Sequence, residues 1–379
     1  MDTKNRDAEK VLRLLCASVL IAILTAGLWP FHAPKNQVEW LSDGLHFGKY
    51  GVILSPEPLR VAGLEPGTSC SVEIWLQPDI VDIGGTILAF YAPGNRNVPL
   101  SVHQSLGDLL LRRETVRPRG AKAKWYIENA FHKNKQLFVA ISSNRQGTAV
   151  YLNDALVRMS PRFGLSSKDL SGQLVVGSHP VAGDGWRGRL KGLAIFTREL
   201  SAGEVLHDYE AWITNQPAEI KNEGPVALYL FDEGKGTLVH NRMNPSTDLH
   251  IPERYSVLHK AFLQPPWDDF DPSWGYCQNV LINIGGFIPL GFLFCAYFAS
   301  VRRLNRALLA TVVLGGVVSL AIEVLQGFLP TRDSGTTDII TNTLGTGIGA
   351  MLYSCDSVQA VLATVGFGGR HCPKRADQG

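Results

Sequence analysis

Six polar side chains stand where apolar runs begin or end: Asn283, Glu323, Gln326, Arg332, Asp338 and Asn342. A charge-free run from Ala307 acquires Glu323 and Gln326 just before it closes at Leu329, and the next run opens with Asp338 and Asn342. Glu323 and Gln326 are three apart, Asp338 and Asn342 four apart, so on helices each pair shares one face. A carboxylate within a bilayer costs at least ~2.5 kcal/mol even on lenient scales, so Glu323 must be paired or face a polar cavity. Two chemistries suit such a group. In the first, Arg332 offers a planar fork to a carboxylate or phosphate, Glu323, Asn283 and Asn342 form a polar shell, and Gln326 and Asp338 are further ligand-binding candidates. In the second, Glu323 is the catalytic residue, a general acid or base. The bland alternative is packing: a Glu323–Arg332 salt bridge, Asp338 capping its helix, and asparagines tying helices together. For Glu323 a functional role is the better reading, because intramembrane carboxylates default to it.

Helices must position these groups. Leu14 to Phe31 is free of charge, follows Lys4, Arg6, Lys10 and Arg13, and closes on Trp29 and Phe31. That is the length and flanking of a spanning anchor; as a cleaved signal its core would be long and Thr25-Ala26-Gly27 a poor cleavage site. Cys277 to Val301, Ala307 to Leu329 and Ile339 to Cys355 are three further candidate spans, the last barely long enough. At 1.5 Å per residue, Glu323 and Asn283 lie roughly 9 Å and Asn342 roughly 6 Å below the outer ends of their spans, a common level. Gly345, Gly347 and Gly349 read as close-packing positions.

Short loops rich in Lys and Arg stay in the cytoplasm. The N-terminus, the loop with Arg302, Arg303 and Arg306, and the tail with Arg370, Lys374 and Arg375 therefore lie inside, and residues 37–276 outside. The stretch 358–367 is too short to span again and reads as a helix continuation or interfacial piece.

Between the first two spans the pattern changes. In "SCSVEIWLQP" Val72, Ile74 and Leu76 share one face, and "QLFVAIS", "TAVYLN", "QLVVGS" and "GRLKGLAIF" repeat the strand signature between Gly, Asn and Pro. Asn153-Asp154 suits a tight hairpin whose turn needs positive φ. Glu73 and Trp75 share the other face of their strand, and Glu73 reads as a solvated strand residue. Asp79, Asp82 and Asp184 could hold calcium through loop oxygens, although isolated loop aspartates are more often solvated or capping; no other cofactor or metal is expected. Of six cysteines only Cys70 lies in this region, so the outer domain stands on its own core without a disulfide framework. The net charge of +2 and 45% hydrophobic composition indicate neither disorder nor a nucleic-acid partner.

The order of these strands resembles the concanavalin A-like, laminin-G-like jelly roll, through Ser71 to Pro78, Phe138 to Asp154, Leu174 to Gly177 and Trp186 to Val205. The resemblance covers residues 40–215, and "VALYLFDEGKGTLVHNRMNPSTDLHI" either completes the sandwich or opens a vestigial second copy. It implies ligand binding, commonly of carbohydrate. Glycosidases on this fold need paired carboxylates on a strand, and no Glu-x-Asp-x-x-Glu-like run exists here.

The membrane residues resemble the VanZ-like family: Asn283 with "FIPLG", "SLAIEVLQGFLPTR" ending at Arg332, then Asp338, Asn342 and Gly345 with "TGIG". The match runs over residues 277–352, with the first span as the family's first helix. The family's name comes from resistance to glycopeptide antibiotics, specifically teicoplanin. The fold class expected is multidomain: an all-β jelly-roll sandwich inserted into an all-α four-helix transmembrane domain. Its parts are a cytoplasmic N-terminus with the first helix (1–36), the jelly roll (37–255), an aromatic juxtamembrane linker (256–276), three helices (277–369) and a cytoplasmic tail (370–379). The function expected is that of a bacterial cytoplasmic-membrane protein of the envelope, recognising a glycan outside and a lipid-linked or headgroup-bearing ligand in the shallow pocket. The alternative is a membrane-embedded enzyme acting on a lipid-linked glycan. A proton-coupled transporter is disfavoured, because no charged residue lies at mid-depth in any span.

Overall fold

The structure, a computed structural model, describes residues 3–59, 69–94, 97–114, 122–181, 183–216, 218–222, 224–260, 262–270 and 274–364. The tail with Arg370, Cys372, Lys374 and Arg375, and the end of the 358–367 stretch, lie outside these residues. The chain divides into two compact units, 33–260 and 1–32 together with 261–379. The helices in chain order are α1 (Thr3–Leu28), α2 (Ala202–Ile213), α3 (Ala218–Asn222), α4 (Pro266–Asp269), α5 (Trp274–Ser300), α6 (Ala307–Gln326), α7 (Thr336–Ser354) and α8 (Asp356–Thr364).

Unit 33–260 holds two eight-stranded antiparallel sheets. In the first, Gly188–Phe196 pairs with Cys70–Pro78, which pairs with Leu137–Asn144. In the second, Gln173–Val176 pairs with Gly85–Ala92, and Gly85–Ala92 with Asn97–Ser105. The alternation in "SCSVEIWLQP" operates as read: Val72, Ile74 and Leu76 join the large core with Phe90, Val102 and Trp186. Asn153 turns the hairpin at φ 57°, and its Oδ1 accepts from Phe138 N at 3.1 Å. Ala227–Tyr229 pairs with Gly188–Phe196, and Leu249–His250 with Ile53–Leu54, so residues 225–255 complete this sandwich rather than begin a second copy.

The opposite face of the first sheet is not solvated. Ser201 caps α2 by accepting from Glu204 N while Glu204 Oε2 accepts from Ser201 N, a reciprocal capping box that starts the helix. Helix α2 then lays Val205, Ala211 and Trp212 on Phe138, Ala140, Ala194 and Phe196. Gly192 permits the approach of Trp212: a Cβ there would lie 2.3 Å from the indole ring.

In the helical unit, α1, α5 and α6 are long and apolar enough to cross a membrane. Helix α7 is 19 residues long and carries Asp338, Asn342 and five threonines, and it falls short of that apolarity among the described residues. Three of the four expected spans thus have the length and apolarity to cross a membrane by themselves among the described residues. Helix α1 starts well before Leu14 and stops at Leu28, ahead of Pro30, because the residue before a proline is driven from helical geometry. Helices α5 and α7 meet at backbone distance. A Cβ on Gly345 would lie 2.2 Å from Ile284 O, one on Gly349 2.0 Å from Ile288 O, and one on Gly291 2.0 Å from Thr346 O. Small residues spaced by four along a helix allow this contact. Gly345 and Gly349 are close-packing positions, whereas Gly347 has room for a side chain.

Candidate functional site

The apolar helices leave one end of their unit polar, and a cavity of about 470 Å³ opens there. All six residues singled out from the sequence line it: Asn283 from α5, Glu323 and Gln326 from α6, Arg332 from the α6–α7 loop, Asp338 and Asn342 from α7. The reason is local. Loop residues 327–335 reverse the chain, so the end of α6 and the start of α7 face the same volume, and the tight α5–α7 contact carries Asn283 to Asp338.

Each side chain is held. Asn283 Nδ2 donates to Asp338 Oδ1 at 2.7 Å, joining α5 to α7. Glu323 is 1% exposed; its Oε2 accepts from the Gly335 N–H at 2.8 Å, and its backbone carbonyl accepts from Ser334 Oγ at 2.8 Å. The loop is thereby strapped to the helix it follows. Gln326 Nε2 donates to Gly27 O at 2.8 Å, and Asn342 Nδ2 donates to Ser319 Oγ at 3.0 Å. Arg332 sits at the mouth as expected, but its fork is turned inward: Nε donates to Trp29 O at 2.8 Å and Nη2 to Ala26 O at 3.0 Å. A guanidinium on the last carbonyls of α1 satisfies groups that have no intrahelical partner and complements the negative end of the helix dipole. Asp338 lies in the first turn of α7, where a carboxylate complements the positive end.

Sequence reasoning missed Gln264, Tyr276, Asn279, Asp333, Ser334 and Thr337, which line the same cavity. Asn279 carried a signal, since it lies four residues before Asn283 on the same helix face. Gln264 carried none: it is brought in when its backbone carbonyl accepts from Thr336 N at 2.9 Å and its N–H donates to Ser334 O at 3.0 Å. Around this end of the unit Trp29, Phe31, Phe262, Trp267, Phe270, Trp274 and Phe328 are exposed, a distribution that suits a membrane–water interface.

The sandwich holds a second concealed carboxylate. Glu73 is fully buried, not solvated, because α2 covers its face of the sheet. Burial first, then the charge of Asp208, push its carboxyl well above the ordinary range. It lines neither the cavity of the helical unit nor the one beside Asn215 and Arg242. Elsewhere, Asp79 Oδ2 pairs with His46 Nε2 at 2.8 Å, and Asp184 Oδ2 lies 3.3 Å from both Thr86 Oγ1 and His103 Nδ1. Asp82 is exposed. Among the described residues no three His, Cys, Asp or Glu side chains converge as metal ligands. The five described cysteines are free thiols.

Comparisons with known proteins match two stretches of the chain. Residues 48–206 match the family model described as the concanavalin A-like lectin/glucanases superfamily, and residues 225–359 match the model described as VanZ/LLP1. The second match begins inside the β unit and runs through α7. No curated protein matches the chain. Among solved structures, the receptor binding domain of botulinum neurotoxin D shares 16% identity at a TM-score of 0.35, covering 47% of this chain and 46% of that one. The botulinum neurotoxin serotype D ligand binding domain in complex with N-acetylneuraminic acid shares 17% identity at a TM-score of 0.35, covering 47% and 45%. This chain spans under half the length of those proteins.

Proposed function

We propose that this chain is a multi-pass protein of the bacterial cytoplasmic membrane that recognises a carbohydrate with its jelly roll outside the cell and receives a lipid-linked or headgroup-bearing ligand in the polar cavity of its helical unit. The observation that carries the second half is the convergence of Asn283, Glu323, Gln326, Asp338 and Asn342 on one cavity beside apolar helices, with an almost fully buried carboxylate among them. A cavity explains why a carboxylate is tolerated at that depth. The exposed aromatic side chains at the same end support a position at headgroup level. The lectin-like match supports the carbohydrate half. α7, with α1, α5 and α6, is taken as the fourth span, and its threonines and Asn342 face the cavity and neighbouring helices rather than lipid.

The Lys and Arg distribution supports the orientation. A reporter inserted after Asp154 should be active only in the exported compartment; activity in the cytoplasm would invert the arrangement. Purified full-length protein screened against lipid extracts and glycans, with products followed by mass spectrometry, should retain a ligand without converting it. Turnover would favour the enzymatic alternative with Glu323 as general acid or base. Deletion and overexpression strains tested for teicoplanin susceptibility check the link to glycopeptide resistance that the VanZ match suggests.

A further inference from the structure

The cavity's hydrogen-bonding groups are not balanced. Three of its amides donate to the protein, Asn283 Nδ2 to Asp338, Gln326 Nε2 to Gly27 O and Asn342 Nδ2 to Ser319 Oγ, while the half-buried Gln264 and the exposed Asn279 also line it. Two donors of Arg332 go to the carbonyls of Trp29 and Ala26. Among the most deeply buried side chains of the lining, acceptor capacity is left over. Asn342, 5% exposed, has an Oδ1 with no hydrogen bond, a pure acceptor, and Thr337, 8% exposed, has an Oγ1 with none, a hydroxyl able to accept or donate. A buried polar atom left unmade costs roughly 1–3 kcal/mol, so a ligand that supplies the missing donors is favoured strongly over one that does not. Charge points the same way, since three carboxylates, Glu323, Asp333 and Asp338, line the cavity against the single guanidinium of Arg332. A phosphate brings acceptors and negative charge: it takes the Thr337 proton but leaves Asn342 Oδ1 unmet and faces the carboxylates. An ammonium brings donors and positive charge, and it would relieve both.

We propose that the cavity takes a primary ammonium group, carried either by the headgroup of an amphiphile or by a soluble amine, with N–H donors directed to Asn342 Oδ1 and Thr337 Oγ1 in the field of the carboxylates. This rests on the ligand-binding reading of the cavity and narrows its ligand. The apolar side of the cavity, Ile23, Ile282, Phe287 and Ile322, accepts the carbon skeleton. Gly286 lies there too, and nothing stands within 4 Å of where its Cβ would be, which leaves room for a chain to pass along α5.

The test uses the full-length protein in nanodiscs of phosphatidylcholine, with phosphatidylethanolamine or phosphatidylglycerol added as the competing probe, and free ethanolamine, choline and inorganic phosphate as soluble arms. Phosphatidylethanolamine should bind at least about tenfold more tightly than phosphatidylglycerol, and choline, which keeps the charge but has no N–H, should bind more weakly than ethanolamine. Binding of the lipid without free ethanolamine identifies a headgroup source; binding of both equally identifies a soluble amine. Thr337→Val keeps the shape and removes only the hydroxyl, so it should weaken the amine by roughly threefold to tenfold, and Thr337→Ser should restore it. Tighter binding of phosphatidylglycerol or phosphate than of any amine overturns the ammonium assignment while leaving the cavity a ligand site. Failure of every amphiphile and every soluble probe to bind the folded wild-type protein overturns the ligand-binding reading itself. An amine affinity, of lipid or of free ethanolamine, that Thr337→Val leaves unchanged also overturns the assignment.

Discussion

The two units each hide a carboxylate, and the surroundings of Glu323 and Glu73 are opposite. Glu323 has a fixed backbone donor, Gly335 N–H, and a cavity beside it. Glu73 has a second carboxyl, Asp208 of the covering helix α2, pressed against it, and it is fully buried. The difference teaches that burial alone does not mark a site. A carboxylate sealed with another carboxylate relieves repulsion by keeping a proton and becomes a packing group. One with an oriented donor and adjoining space can meet a ligand.

The comparison breaks most completely if the frame around Glu323 is removed. Gly349→Leu would drive a side chain into Ile288 O and Phe292 N of α5, so the helical unit should lose its fold, a cost above about 4 kcal/mol. Size-exclusion chromatography and thermal unfolding of the purified variant would show aggregation or a collapsed transition. Gly347→Ala, whose Cβ would meet only Val312 Cγ2 at 3.9 Å, should behave as wild type.

The next effect separates the two carboxylates by pH. In the folded sandwich Glu73 keeps its proton above the ordinary glutamate value of 4.5, so between that value and its raised one the folded state binds more protons than the unfolded state. Stability contributed by this group is therefore full at low pH and is lost as pH rises through the window, by about 1.4 kcal/mol per unit. Glu73→Gln should remove this loss, and its advantage over wild type should grow with pH in urea titrations of residues 33–260. His103 and His179 act in the opposite sense. Burial holds each near about 4 in the fold, below the ordinary 6.5, so the unfolded state binds the extra protons and stability falls as pH drops from 6.5 towards 4. A Glu73→Gln variant with an unaltered pH profile would show that the carboxyl is not held protonated.

A smaller effect sharpens the other side of the comparison. Glu323→Gln keeps volume and one acceptor while removing the charge, and should lower affinity for the cavity's ligand by roughly tenfold with little change in thermal stability. Turnover lost by 10²–10⁴-fold with affinity retained would instead make Glu323 an acid–base catalyst, which is the size such proton transfer typically supplies. Smallest is Asn153→Ala in the sandwich hairpin. It removes an acceptor for Phe138 N and asks alanine to take φ 57°, which should cost about 1 kcal/mol in the same urea titration, with Asn153→Gly recovering part of it.

Much of this was written in the chain order, because the relevant physics is local. A rise of 1.5 Å per residue sets Asn283, Glu323 and Asn342 at one level whatever else the helices touch. Alternation places Val72, Ile74 and Leu76 on one face of a strand and Glu73 on the other. Asn153 announces a turn because few residues adopt positive φ. Lengths and apolarity likewise mark α1, α5 and α6 as helices able to cross a membrane. Tertiary structure alone decided which groups those faces would meet. The sequence of the strand cannot say that α2 will cover Glu73, since the helix begins more than a hundred residues later. Nothing around Arg332 specifies that its fork will close on the carbonyls at the end of α1, about three hundred residues earlier, instead of facing a ligand. Gln264 joins the cavity only through backbone hydrogen bonds to residues 334 and 336. Distant segments are brought together by burial of apolar surface, which is non-directional, and only the packed arrangement determines which polar groups find partners and which, like Asn342 Oδ1 and Thr337 Oγ1, are left for something else to satisfy.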